Sequence, residues 1–348
     1  MEQPFVTGSV QTAAGPVPTV AASLTLRDHW GTFKVRWGVG RMHYTVEPGL
    51  YAVGHPHRDS TVLVTANYKL SFDKLREALP GRDAWILVLE TKGINVWCAA
   101  GKGTFGTDEL VERIQSCRLS EVVSHKRIIV PQLGAPGVSA HLAKKLSGFE
   151  VVYGPIKARD LPAFLDAGFK ASSSMRLKTF PLGERIVLIP VELVATLKSL
   201  AIILPILFLA GGIVGPGTFL DSAMNFGVRA ILGILTAVFA GAILSPVLLP
   251  WLPGRAFSCK GLSIGLFAAL LFVSLGRLGS GSSANGLEIM SWFFIIPAIS
   301  AYLAMNFTGA STYTSLSGVK REMRFALPLE IAAAIIGVGL WLTSLYIA

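Results

Sequence analysis

The sequence is short of cysteine and of charge. Its 348 residues include only three cysteines, and charged residues make up 15% of the chain against 52% hydrophobic residues. Cys98, Cys117 and Cys259 are spaced too widely for a CxxC metal knuckle, and we expect no disulfides among them in a cytoplasmic domain. So apolar a composition excludes an ordinary soluble enzyme and predicts that part of the chain lies in lipid.

Charge becomes rare after Pro190, and five apolar stretches follow. Each is close to the ~20 residues that a helix needs to cross a hydrocarbon core of ~30 Å. We therefore predict two domains, residues 1–185 and residues 186–348, of which the second is an all-α transmembrane domain. The five predicted spans are residues 193–214, 230–252, 262–278, 287–307 and 326–348.

Basic residues lie mostly on one side of this threading. Arg229 and Arg277 fall on the opposite side, and the positive-inside rule then places residues 1–190 in the cytoplasm and Ala348 outside. We thus expect a multi-pass protein of the cell inner membrane. The basic residues on the cytoplasmic side are Arg176, Lys178, Arg185, Arg255, Lys260, Lys320, Arg321 and Arg324.

Three further features concern the membrane. Residues 1–22 have neither a basic start nor an apolar core, so we expect no signal peptide there. The net charge of +10 is best explained by anionic lipid, because no nucleic-acid recognition motif accompanies it. Lys198, Glu288 and Glu330 lie near span ends, and we expect their side chains to extend toward the headgroups.

The first half of the chain alternates strand-like and helix-like segments. Residues 61–66 and 84–90 are apolar runs typical of buried parallel strands, and residues 72–79 between them have helical periodicity. This pattern predicts an α/β doubly wound, Rossmann-like domain, whose ligand binds in the loops that follow its strands. The remaining predicted elements are strands at 127–130 and 151–153 and helices at 108–116, 138–146 and 161–167.

Residues 94–106, INVWCAAGKGTFG, form one of these loops. A P-loop is excluded, because Val96 and Gly103 occupy two of its four fixed positions. The glycines at 101, 103 and 106 do satisfy the G-x-G-x-x-G pattern of dinucleotide-binding folds. They come late in the predicted sheet, however, and no acid follows at the expected distance. The dinucleotide interpretation therefore stays open on the glycines alone.

Two local structures are compatible with the position of Cys98. Asn95 is a favoured N-cap residue, and a helix that starts there places Cys98 in its first turn, where the helix dipole favours a metal-binding thiolate. Alternatively, the chain turns at residues 91–93 and continues as the second strand of a hairpin, with Cys98 filling the core. In the helical interpretation, four small residues leave room for a flat macrocycle: Ala99, Ala100, Gly101 and Gly103.

Residues 93–107, GINVWCAAGKGTFGT, resemble the corrinoid-protein family of the acetyl-CoA pathway. The same resemblance extends to residues 66–73 (ANYKLSFD), 131–140 (PQLGAPGVSA) and 307–323 (FTGASTYTSLSGVKREM). The N-V-W-C-A-A-G-K motif combined with five spans is similar to the corrinoid membrane proteins of microbial mercury methylation. The D-x-H-x-x-G motif of histidine-ligated B12 proteins is absent, because residues 28–31, DHWG, have the wrong spacing.

The resemblance implies that residues 1–185 bind a corrinoid (cobalamin or methylcobalamin) and that Cys98, on a short cap helix, is the lower axial ligand of cobalt. A thiolate in that position favours transfer of a methyl group with its electrons, which Hg(II) requires to become methylmercury. The alternative is a membrane-anchored corrinoid methyl carrier of the acetyl-CoA or one-carbon pathway with another acceptor. The implied partners are a small ferredoxin-like protein with two 4Fe–4S clusters, Hg(II), membrane lipid and an upstream methyl donor that the sequence does not name.

The resemblance and the positions after strands together assign further residues to the corrinoid. Cys98 is the predicted catalytic residue. Trp97 packs either on the ring edge or in the core, and Lys102 either neutralises a phosphate of the corrin tail or lies in solvent. Residues on the loops, Thr65, Asn67, Thr104, Gln132 and Gly134, are expected to bind the corrin amides. The full predicted set adds Asn95, Val96, Cys98, Ala99, Ala100, Gly101 and Gly103.

Overall fold

The chain divides into two compact units, Met1–Lys178 and Thr179–Ala348. In this computed structural model, the structure describes residues 3–279, 285–307 and 316–347. Residues 308–315, which carry part of the sequence resemblance, and the last residue of the predicted fifth span therefore lie outside the described residues.

The first unit is built on a seven-stranded sheet with the order β1-β2-β3-β5-β4-β6-β7. Strands β5, β4, β6 and β7 are parallel, as the doubly wound prediction requires. The whole sheet is mixed, because β1 and β2 form an antiparallel hairpin and β3 runs antiparallel to β5. The strands are β1 (Val6–Thr12), β2 (Gly15–Val20), β3 (Gly49–Val53), β4 (Thr61–Ala66), β5 (Ala84–Leu89), β6 (Arg127–Val130) and β7 (Glu150–Tyr153).

Helices cover both faces of this sheet, because alternate strand residues point to opposite sides. Val64 and Leu87 belong to one apolar core and Leu63 and Ile86 to the other. The first core is closed by α3 to α6, the second by α2 and α7. The helices of the unit are α1 (Leu26–Arg36), α2 (Lys69–Glu77), α3 (Val96–Lys102), α4 (Thr107–Ser116), α5 (Leu119–Val122), α6 (Ala140–Ser147) and α7 (Leu161–Asp166).

A buried ion cluster holds α1 against α2. Lys69 Nζ lies 2.6 Å from Asp28 and 2.7 Å from Asp73, and Arg76 lies 2.8 Å from Asp73 and 3.0 Å from Asp28. Burial alone would raise the pKa of Asp28, but hydrogen bonds from Lys69 and Thr25 hold it below its usual value. Two acids and two bases thus compensate each other where a lone buried charge would be costly.

The second unit contains five helices that are long and apolar enough to cross a membrane, counted over the described residues. The number of helices agrees with the prediction. Four of them, all except span 4, begin at least five residues before the predicted span, because the helix continues through polar residues that the hydropathy pattern left out. They are span 1 (Leu182–Val214), span 2 (Phe219–Leu248), span 3 (Phe257–Gly276), span 4 (Gly286–Asn306) and span 5 (Gly318–Ile347).

Glycines allow spans 2 and 3 to approach span 4 closely. A Cβ added to Gly241 would lie 2.8 Å from the Ser300 Cα, and one added to Gly265 would lie 2.7 Å from the Pro297 Cα. Small residues at such interfaces are the usual way in which membrane helices pack. Span 4 is therefore central to the packing of this unit.

The expectation that the three charged residues near the span ends extend toward the headgroups is wrong for the two acidic ones. Glu288 is only 2% exposed and pairs with Arg229 at 2.9 Å, and Glu330 is also buried. Glu288 lies in the first turn of span 4, where Asn285 caps the helix. The side chain of Arg229 on span 2 reaches this carboxylate and compensates its charge inside the unit. Glu288 is therefore stabilised without hydration by solvent. Lys198, by contrast, is exposed.

Candidate functional site at the carboxyl ends of the strands

The site lies where the winding of the sheet changes direction. From β4 the chain crosses to β5 on one side, and it later returns to β6 on the other side of β4 and continues to β7. Crevices outside the carboxyl ends of strands at such a point are the usual ligand sites of open α/β sheets. Helix α3 packs against β4 and against the short turn Gln132–Gly134 that follows β6. The predicted motif therefore lies at this point.

Helix α3 is short and capped at both ends. The side-chain oxygen of Asn95 accepts a hydrogen bond of 2.9 Å from the Cys98 N–H, and Gly103 ends the helix in the left-handed conformation with φ +82°. The helical interpretation of this segment is confirmed and the hairpin is wrong, because the two caps favour a helix between them. Cys98 therefore lies in the first turn, with a half-buried thiol.

The two faces of α3 differ in their access to solvent. Ala99 and Ala100 are buried in the core, with exposures of 0% and 6%. Gly101 and Lys102 are exposed, and a Cβ added to Gly101 would meet no atom within 4 Å. Because these two alanines pack α3 onto the sheet, the prediction that four small residues face a macrocycle now concerns only Gly101 and Gly103. Open space borders the helix at Gly101.

Asn67 fixes the loop that leads into α3. Its Oδ1 accepts hydrogen bonds from the Thr91 N–H at 3.1 Å, the Thr91 hydroxyl at 2.7 Å and the Gly93 N–H at 3.1 Å. Its Nδ2 donates to Glu90 at 2.9 Å. Asn67 is 4% exposed. The structure thus shows a positioning role for Asn67, whose amide groups are engaged within the protein.

The loop itself makes a tight turn. Lys92 and Gly93 both have positive φ, at 57° and 68°, and the Ile94 N–H donates to the Thr91 carbonyl at 3.2 Å. These values fit a type I′ turn. A Cβ added to Gly93 would lie 2.9 Å from Thr45 Cγ2, so glycine is required there both by the backbone and by the neighbouring chain.

Two glycines after β6 let that loop approach α3 and the turn behind it. A Cβ added to Gly134 would lie 2.5 Å from the ring of Phe105, and one added to Gly137 would lie 3.0 Å from the Ala100 Cα. Gly134 is therefore a packing residue in this structure. Phe105 is fully buried beneath the loop. The positions of Gly137 and Phe105 were not among those predicted, although the glycine-rich run PQLGAPG was a signal for a close approach.

The remaining predicted residues lie around this framework. The Thr104 hydroxyl is 3.5 Å from the Ala99 carbonyl oxygen, and Gln132 Oε1 accepts a hydrogen bond from Arg176. Thr65 is buried at the end of β4. Val96 and Trp97 are half-buried, and Val96 packs against the core. Contacts of all these residues with a corrinoid stay predictions.

The structure offers less support for three other kinds of site: a cluster of metal ligands, a dinucleotide site and a reactive thiol at Cys117. Over the described residues, no group of three or more His, Cys, Asp or Glu side chains could hold a metal ion. Gly103 ends α3 and Gly106 precedes α4, so the glycine run joins two helices, whereas a dinucleotide fingerprint joins a strand to a helix. Burial raises the pKa of the Cys117 thiol, which makes it a poor nucleophile or ligand.

The arrangement at α3 fits a large cofactor with one soft metal ion. Cys98 provides a single soft sulfur donor, which suits cobalt better than a hard cation. The open space at Gly101 admits a broad ligand beside the helix, and the αL conformation at Gly103 turns the chain away from it. The residues present therefore fit a corrinoid.

Comparison with known proteins identifies similarity over this same part of the chain. Residues 39–165 match the family model described as CO dehydrogenase/acetyl-CoA synthase delta subunit. This range contains β3 to β7, Asn67, α3 and Gly137. The match supports the resemblance to the corrinoid proteins of the acetyl-CoA pathway for the part of the chain that carries the site.

Among the similar proteins are gamma subunits of the acetyl-CoA decarbonylase/synthase complex. The protein of Methanopyrus kandleri is 31% identical over 123 residues, which are 35% of this chain and 26% of the relative. That of Archaeoglobus fulgidus is 30% identical with the same coverage, and that of Methanosarcina acetivorans is 30% identical over 130 residues, or 36% and 27% of the two chains. The chain thus spans about a quarter of the length of these relatives.

Proposed function

We propose that this chain is a membrane-anchored corrinoid protein of one-carbon metabolism that carries a methyl group to an acceptor. The observation that carries the proposal is Cys98 in the first turn of a short, doubly capped helix at the switch point of the sheet. The family match over residues 39–165 supports it, because this range covers the site, and the similarity to acetyl-CoA decarbonylase/synthase gamma subunits supports it as well. A bound corrinoid would supply a cobalt-linked methyl group in a form that can be transferred.

The chain's own residues hold and orient the cofactor in this proposal. Cys98 would hold the cobalt through its sulfur, and Asn95 keeps the first turn of α3 formed. Asn67 fixes the turn before α3 through its three accepted hydrogen bonds. Gly101 would provide the surface that the ring approaches, and the exposed Lys102 would neutralise the phosphate of the corrin tail. The second unit anchors the protein in the cell inner membrane, with the first unit in the cytoplasm.

Transfer to Hg(II) is the second candidate, and the sulfur donor is the observation that favours it. A thiolate donates more electron density to a metal than water or a neutral nitrogen does. Cys98 therefore favours an acceptor that takes the methyl group together with its bonding electrons, as Hg(II) does. Because Hg(II) takes the bonding electrons, this second reaction would need a reductant, and a small ferredoxin-like protein with two 4Fe–4S clusters would supply the electrons that restore the methyl-accepting state of the cofactor.

The test uses the full chain in membrane vesicles, loaded with methylcobalamin carrying a labelled methyl group. We expect wild-type protein to retain the corrinoid and to release label to an acceptor, with Hg(II) and the acetyl-CoA-forming enzyme offered separately. Methylmercury as the product identifies the second candidate. Label transferred only to the enzyme identifies the first. Loss of the corrinoid on washing, or retention of the label with both acceptors, would overturn the proposal.

Cys98→Ser is the matched control, because serine preserves the size of the side chain and removes the soft donor. We expect this variant to fold and to insert in the membrane, and to lose the sulfur-to-cobalt signature in X-ray absorption together with transfer to Hg(II). A Cys98→Ser variant that methylates Hg(II) at the wild-type rate would show that Cys98 only fills space.

A further inference from the structure

Helix α1 exposes a row of large apolar side chains. Leu26, Trp30, Phe33 and Trp37 follow one another at intervals of three or four residues and are 88%, 59%, 50% and 38% exposed. The rings of Trp30 and Phe33 stack with centroids 5.3 Å apart, and Phe33 contacts Trp37 at 6.1 Å. We call these four residues the aromatic ridge. Monomeric soluble proteins rarely leave such a cluster in water.

The ridge belongs to a firmly held helix. On the opposite face, Asp28, Gly31 and Val35 are buried. Asp28 takes part in the ion cluster with Lys69 and Arg76, and a Cβ added to Gly31 would lie 2.5 Å from the hydroxyl oxygen of Tyr44. A capping box at Thr25 also fixes the first turn. The ridge therefore stays exposed, because these contacts prevent α1 from rotating about its axis and burying it.

Basic residues border the ridge on both sides. At 100° per residue, the exposed Arg27 and Lys34 lie along one flank of the ridge, and the exposed His29 and the half-buried Arg36, whose Nε is buried, lie along the other. The acid of α1 is Asp28, which is buried and paired with Lys69. An apolar row of Trp, Phe and Leu with cationic borders is the pattern of a helix that lies in a membrane interface. The same borders would repel a second copy of α1.

We propose that the aromatic ridge of α1 lies in the headgroup region of a bilayer that contains anionic lipid. The spans of the same chain keep the first unit close to a bilayer, so this contact is effectively intramolecular and needs little affinity of its own. Tryptophan rings favour the headgroup level, where their apolar body is buried and their N–H stays hydrated. The family match begins at residue 39 and thus does not include α1.

Photocrosslinking of the full chain tests the occupant of the ridge directly. The photoreactive amino acid p-benzoylphenylalanine replaces Phe33 in protein reconstituted in nanodiscs of phosphatidylglycerol and phosphatidylcholine. Its matched control is the same replacement at Gln115, an exposed position on α4. We expect a phospholipid adduct from position 33, identified by mass, and none from position 115.

Removal of a positive charge beside the ridge gives a second readout. Lys34→Gln in the crosslinking protein should lower the lipid adduct by roughly fivefold, since each basic residue near an anionic surface strengthens binding by about that factor. Pure phosphatidylcholine or high salt should have a similar effect. A protein adduct at position 33, whether to a second copy or to another protein in native membranes, would overturn the proposal. Equal lipid adducts from positions 33 and 115 would overturn it as well.

Discussion

Gly137 lies in direct backbone contact with Ala100. A Cβ added to Gly137 would lie 3.0 Å from the Ala100 Cα and 3.2 Å from its Cβ, and it would overlap the Phe105 carbonyl oxygen. The contact joins the loop after β6 to α3, which follows β5. Two segments that are separate in the sequence, the loop after β6 and the helix that carries Cys98, are thereby packed together.

We expect Gly137→Ala to displace α3. The extra methyl has no space, and overpacking of this kind costs about 1–3 kcal/mol of stability. The thermal midpoint and the retained corrinoid should both fall. Gly8→Ala is the control, because a Cβ there meets no atom within 4 Å. If the two variants behave alike, the close contact at Gly137 does not determine the position of α3.

Gly101→Ala should separate folding from cofactor binding. An alanine in this helix gains about 1 kcal/mol over glycine, and the structure leaves open space for its methyl group. We expect the cofactor-free protein to be as stable as wild type or slightly more so, and corrinoid affinity to fall because the methyl group occupies the approach of the ring. Unchanged affinity in a binding titration would remove Gly101 from the corrinoid surface.

Asn67→Ala should loosen the turn before α3 while leaving the sheet intact. The substitution leaves the Thr91 and Gly93 donors without their acceptor, and each unsatisfied buried group costs about 1–3 kcal/mol. Hydrogen exchange should accelerate at residues 91–98 and remain slow in β4 and β5. Asn67→Asp preserves the acceptor but places a carboxylate against Glu90 in place of the Nδ2 donor, so it should protect the turn better than alanine only at acid pH, where the two carboxyl groups can share a proton. Equal exchange in all three proteins would contradict the assigned role.

The attachment of α1 should depend on pH through Asp28. Its pKa is held below the usual value in the folded state, so the stabilisation is complete above an unfolded pKa of about 4 and is lost as the pH falls below it. Hydrogen-exchange protection of α1, corrected for intrinsic rates, should decrease in that acid range. Asp28→Asn should already lose protection at pH 7 and change less with acid. Parallel pH profiles would exclude Asp28 as the cause.

Reporter fusions can establish the proposed orientation. The turn at Gly254, which has φ +87°, lies between spans 2 and 3 and is a suitable insertion point outside both helices. A reporter there should be active if it works in the cytoplasm, and one fused after Ala348 if it works outside. The opposite pattern would reverse the orientation of the whole protein.

The sequence was most informative where the signal is local. The four parallel strands are short apolar runs that could be predicted, whereas Asn95 alone left both a helix and a hairpin open for the segment that forms α3. Strands β1 and β2 were missed because polar residues and prolines interrupt their apolar positions, and β3 was missed although residues 50–53 form a short buried apolar run. The roles of Asn67 and Gly137 depend on contacts between residues far apart in the chain, which no local pattern contains.

The connection between Asn67 and the turn before α3 consists of a neutral amide and uncharged backbone and hydroxyl groups at its Oδ1. None of these groups titrates near neutrality, and ions in the medium screen such bonds very little. The conformation of the turn before α3 should therefore stay the same when the pH or the ionic strength of the cell changes. A response of methyl transfer to either condition would then report on the chemistry of the thiol or on a docking protein.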